Sequence, residues 1–176
     1  MIKDKVSINI ISSFNHANFI GLLRNNNDFK WQINDSNYNQ IFQILSDRKL
    51  NIWKKKSDIS LIWSTPESIS SEFKKLLNHE KANKNLIKKD IDFFFNCLKT
   101  VKKNSDVILI PNWILREPNE SSIALSFSKK LGIEYHLSYM NYYLSELINK
   151  EKNFYLLNST KWLTNCGSEV TYNSMM

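Results

Sequence analysis

Short apolar runs alternate along the chain with longer stretches of helical period. Residues 6–11 predict a buried strand that ends in Ser12-Ser13-Phe14-Asn15. Phe19, Ile20, Leu22 and Leu23 then open an amphipathic segment. Residues 29–33 alternate and predict a second strand. Residues 38–45, YNQIFQIL, predict a short helix or an ordered loop. Residues 58–63 form a continuous run, as a strand buried on both faces does. Ser64-Thr65-Pro66-Glu67 then offers the polar cap, early proline and early acid of a helix whose apolar face is Ile69, Phe73, Leu76 and Leu77.

The strongest helical period follows. Ile87, Ile91, Phe94, Phe95, Leu98 and Val101 recur at spacings of three and four. Residues 107–110 predict a fourth strand, closed by Pro111-Asn112-Trp113. Pro118-Asn119-Glu120 predicts a helix start with Ile123, Ala124, Phe127 and Leu131 inward and Gly132 as its C-cap. Residues 135–148 carry another helix through Met140, Leu144, Leu147 and Ile148. Residues 154–157 predict a fifth strand, with Asn158-Ser159-Thr160 and a helix start at Lys161 behind it. Strands that alternate with helices in this way predict an α/β fold. The expected form is a three-layer α/β/α sandwich around a mostly parallel five-stranded sheet, flavodoxin-like, as a single domain over residues 1–176.

Composition narrows the class. The chain has 176 residues and 42% hydrophobic residues, enough for one domain with a sizeable core. Its formal charge is +7, but lysine pairs such as Lys74-Lys75, Lys88-Lys89 and Lys129-Lys130 are spread over several elements. That reads as solvated helix faces, not as a nucleic-acid surface. Cys97 and Cys166 are the only cysteines, and Cys97 falls in the apolar stripe of a helix. No zinc spacing occurs, and neither GxGxxG nor GxxxxGK[ST] is present, so neither a metal nor a cofactor is expected. No apolar run approaches membrane-spanning length and the N-terminus lacks a signal-peptide pattern, so a cytoplasmic location without membrane contact is expected.

In an open α/β sheet the ligand crevice lies beyond the carboxyl ends of the strands. The residues placed there are Ser12, Ser13, Asn15, Asn39, Gln40, Ser64, Asn112 and Asn158. They can hydrogen-bond a ligand or stabilise an oxyanion. Ser12 and Ser13 are the candidate nucleophiles, and His16 is the one histidine near them to act as base. Ser and Asn before a helix are also its preferred caps, so capping and chemistry are both open here. His79 ends a helix, where a cation suits the dipole. The tryptophans read as core or crevice wall.

Several phrases carry a family resemblance: INIISSFN, YNQIFQIL, DISLIW, DVILIPNW and FYLLNSTKWL. With their order, the chain resembles the N-terminal SGNH-hydrolase-like domain that precedes the phosphatase-like domain in FkbH-type proteins of the HAD superfamily. Active SGNH hydrolases carry Gly-Asp-Ser after the first strand, Gly-x-Asn-Asp after the third and Asp-x-x-His after the fifth. Here the first place holds Ile11-Ser12-Ser13-Phe14, the second holds Trp63-Ser64-Thr65-Pro66, and residues 158–176 contain neither Asp nor His. The resemblance therefore implies a catalytically degenerate module that binds a ligand or partner. FkbH-type proteins load a glyceryl unit onto a carrier protein, so the implied partners are an acyl carrier protein or a phosphatase-like chain. The phosphatase-like domain would follow this one in such proteins, and it is expected to be lacking here. An active serine esterase or acyltransferase and a flavodoxin-like interaction domain are the alternatives.

Overall fold

A computed structural model describes residues 5–26, 28–115 and 123–166. Five parallel strands form one sheet: β1 (Lys5–Ser12), β2 (Lys30–Asp35), β3 (Ser57–Trp63), β4 (Ser105–Pro111) and β5 (Phe154–Leu157). Their order is β2-β1-β3-β4-β5. The chain moves one way from β1 to β2, then crosses back over β1 to β3 and continues outward. With right-handed crossovers, that reversal sends helices to opposite faces.

One face holds α1 (Ala17–Asn25) and α7 (Ser159–Cys166). It is the thinner side, with Ile8, Ile10, Ile20 and Leu61 buried, and with Phe14 and Phe19 edge-on to Trp63 at 5.1 and 5.5 Å. The other face carries the main core. There α2 (Ile41–Ser46), α4 (Ser71–Leu77), α5 (Lys84–Val101) and α6 (Ile133–Ile148) pack over Ile11, Ile62, Ile108 and Ile110. Ile87, Ile91, Phe94, Phe95, Leu98 and Val101 all turn inward, as the period of α5 requires. Truncating a fully buried ring such as Phe73 or Phe94 in a core of this kind costs about 3–5 kcal/mol.

The helices differ from the sequence pattern at four places. The helix expected from Pro66 onward is broken at Ser70. α3 (Pro66–Ile69) ends there, and the Ser70 hydroxyl caps α4 by accepting the Phe73 N–H at 3.3 Å while donating to Asp90 at 2.7 Å. Leu22 lies on the outer side of α1, 70% exposed. The helix expected near 118–131 starts outside the described residues. Its described part is only the 3-10 turn Ile123–Leu125, and Phe127 is 73% exposed. Gly132 is the N-cap of α6, not a C-cap. A Cβ there would lie 2.5 Å from backbone atoms of Ser126 and Ser128, so glycine is required by the close approach of the chain to itself.

Buried Glu72 ties α4 to the start of α5. Its carboxylate accepts the Asn83 N–H at 2.7 Å and the Lys75 ammonium at 2.5 Å. The Lys75 bond, then the Asn83 bond, hold its pKa below the ordinary value. A depressed carboxylate stabilises the fold above its unfolded pKa and loses that contribution as the pH falls through the folded value. Glu72→Gln is expected to lower stability near neutral pH by about 1 kcal/mol. Urea unfolding should show wild type and variant converging as the pH falls below the ordinary glutamate range; an unchanged gap in acid would refute the linkage.

Candidate functional site

Residue Ser12 is fully buried at the end of β1, opposite Trp63 of β3. Its Oγ accepts the Phe14 N–H at 3.1 Å and so closes a tight local turn. Ser13 continues the pairing beyond the strand: its N–H donates to the Trp63 carbonyl at 3.1 Å. Its hydroxyl is half-buried and accepts the Thr65 N–H at 2.9 Å. Asn15 is exposed, and its Oδ1 accepts the Ala17 N–H at 3.0 Å. His16 is the N-cap residue of α1 by position but caps it with no side-chain bond. Its Nδ1 meets the Phe14 carbonyl at 3.2 Å, and the ring is buried. No histidine or carboxylate of the described residues bonds the hydroxyl of Ser12 or Ser13.

Beside Ser13 opens a cavity of about 210 Å³. Asn39 and Gln40 line it, as the sequence predicts for residues beyond β2. Asn39 adopts a left-handed φ of 62°, which asparagine tolerates better than most residues. That turn lets its N–H donate to the Ser12 carbonyl at 3.1 Å, fixing the loop over β1. Phe42, Gln43 and Ser68 complete the wall, and sequence reasoning missed them. Gln43 lies on the exposed side of α2 and Ser68 on a one-turn helix, positions with no periodic signal. Ile41 and Phe42 make an apolar side, the other lining residues are polar, and none is charged.

The remaining predicted residues support the crevice rim rather than this cavity. Ser64 is buried and its Oγ accepts the Trp113 indole N–H at 2.8 Å. Asn141 of α6 pairs with the Trp113 backbone in both directions, each bond 2.8 Å. The Asn112 carboxamide accepts the Ser159 N–H at 2.6 Å, joining β4 to the start of α7. Asn158 is exposed and its Oδ1 accepts the Lys161 N–H at 3.1 Å, capping α7. The buried Ser159 hydroxyl beneath it has no partner.

His79 follows α4 in a left-handed conformation, φ 61°. His136 is fully buried in the first turn of α6, with Nε2 at 3.1 Å from the Lys129 carbonyl. Burial holds His136 below its ordinary pKa. No group of three or more metal-ligating side chains occurs among the described residues. No helix of the described residues is long and apolar enough to cross a membrane.

The model of the FkbH N-terminal domain matches residues 12–176. The chain belongs to the FkbH N-terminal domain family. Among solved structures, this FkbH-type domain is similar to the N-terminal part of the protein BF1531 from Bacteroides fragilis, which contains a phosphatase domain and was crystallised with Mg. Identity is 14%, the TM-score is 0.66, and the match covers 94% of this chain but only 43% of that one. It is also similar to a catalytic mutant of Axe2, an acetylxylan esterase from Geobacillus stearothermophilus, at 12% identity and TM-score 0.54, over 88% and 76% of the two chains. No curated protein matches the chain. The fold of the FkbH N-terminal domain is therefore that of SGNH esterases, a parallel sheet with helices on both faces.

The Ser64–Trp113 bond braces this rim from inside. Ser64→Ala leaves a buried indole N–H without an acceptor, which costs about 1–3 kcal/mol. Unfolding in urea followed by tryptophan fluorescence should show that loss, whereas a wild-type midpoint would mean the indole finds water.

Proposed function

We propose that this domain is a degenerate SGNH-like binding module, not an esterase. One observation carries the reading: the Ser13 hydroxyl accepts the Thr65 N–H, and no base of the described residues is bonded to it. A serine attacks an ester only when a base removes its proton, and the resulting oxyanion needs free N–H donors. Here the Thr65 amide, just beyond β3, is spent on the serine itself. The departures from all three SGNH motifs support the same conclusion. After β5, Asn158 and Lys161 have the spacing of the Asp-x-x-His pair, and they cap a helix instead.

The cavity then acts as a small uncharged receptor, part apolar at Ile41 and Phe42. Its serines and carboxamides suit a neutral, hydrogen-bonding group of a substrate or a partner. In FkbH-type biosynthesis the partners would be an acyl carrier protein or a phosphatase-like unit, the latter supplied by another chain or by sequence beyond this domain. The solved structure that combines this fold with a phosphatase domain supports that pairing. A cytoplasmic setting fits the buried free thiol of Cys97.

The test is serine-directed. Wild type and Ser13→Ala should hydrolyse 4-nitrophenyl acetate at the same background rate, and a fluorophosphonate should label neither. Labelling at Ser13, or a rate that falls about a hundredfold in the variant, would establish the esterase or acyltransferase alternative.

A further inference from the structure

Parallel strands covered on both faces are built of apolar residues, and β1 departs from that at Asn9, which is fully buried. A buried carboxamide is costly unless its bonds to water are replaced. Asn9 replaces them sideways. Its Nδ2 donates to the Ile52 carbonyl at 3.3 Å, and its Oδ1 accepts Asn34 Nδ2 at 3.1 Å. Asn34 lies opposite Asn9 in the register, on the edge strand β2.

Both partners stand in the wall of a cavity of about 440 Å³, formed by β2 and the segment that leads into β3. Gln32, Asn34, Asp35, Asn51, Lys54 and Lys55 line it. Its size falls in the usual range for small-molecule sites, about 300–1,000 Å³. Lys54 and Lys55 are exposed and form no ion pair with a described residue, so two ammonium groups outweigh the one carboxylate of Asp35. The carboxamides offer donors and acceptors, and Asp35 accepts from hydroxyl or amide groups.

We propose that this groove beside β2 binds a small phosphate- or carboxylate-bearing ligand. Lys54 and Lys55 hold the anion, while Gln32, Asn34, Asn51 and Asp35 bond the ligand's hydroxyl or amide groups. The groove is separate from the serine cavity, and its occupancy does not depend on whether Ser13 is active.

Titration of the isotope-labelled domain with orthophosphate, pyrophosphate and citrate at low ionic strength tests it. The side-chain amide signals of Asn34 and Asn51 should shift saturably at millimolar anion. A phosphate-only or citrate-only response identifies the anion. Lys54→Gln with Lys55→Gln should weaken binding at least about tenfold, and each single change should weaken it less. Lys129→Gln with Lys130→Gln should leave it unchanged. The thermal midpoint should stay at the wild-type value in every variant. No saturable shift up to about 10 mM, or equal weakening by both lysine pairs, overturns the proposal.

Discussion

The crevice of this domain depends on how β1 and β3 stay joined after their strands end. Ser12 pairs with Trp63, the Ser13 N–H goes on to the Trp63 carbonyl, and the Thr65 N–H returns to the Ser13 hydroxyl. This clasp sits where the strand order reverses, the place at which an open α/β sheet leaves room for a ligand. It holds Ser13 at the mouth of the cavity. It also fixes the entry to α3, because Thr65 precedes Pro66 at the first helical position. The bond that positions the serine is thus the same bond that occupies its lone pair and the neighbouring amide. One N–H ties the end of β1 to the start of α3.

All five strands were legible in the sequence, β2 through its alternation and the other four as short apolar runs bounded by polar residues. The helix α5 was legible through its period. What sequence reading missed was decided by single contacts between distant segments. Ser70 looks like any helical serine until Asp90 and Phe73 meet its hydroxyl. Gly132 has the local context of a helix end, but the backbone of Ser126 and Ser128 passing against it makes it a start. Site residues divide the same way. Asn39 and Gln40 follow a strand and were placed by topology. Phe42, Gln43 and Ser68 reach the cavity only because α2 and α3 lean over Ser13.

Polar groups inside the sheet show where the domain tolerates the cost of buried hydrogen bonding. Ser57, Ser60 and Ser105 join their hydroxyls at the amino ends of β3 and β4, at 2.9 Å for Ser57–Ser105 and 2.5 Å for Ser60–Ser105. The Ser57 hydroxyl also reaches the Asn104 carbonyl at 3.4 Å, and the cluster sits at the amino ends of the strands, opposite the crevice, so it reads as a polar pin that fixes register. Trp113, the largest fully buried side chain, is likewise held by three polar bonds rather than by packing alone.

Asn9 differs from those pins because its partners form the wall of an open groove. Asn9, Ile11 and Ser13 share one face of β1, since side chains alternate along a strand. At about 3.3 Å per residue, Asn9 and Ser13 stand roughly 13 Å apart. Ile11 lies between them, fully buried in the core cluster that includes Ile41, Ile44 and Leu45 of α2. A single ligand reaching from one to the other would have to lift α2 off the sheet. Truncating large side chains in such a core costs about 2–5 kcal/mol each, and lifting the helix would expose several at once. The two polar places are therefore kept apart on one rigid strand, and no single small ligand spans both.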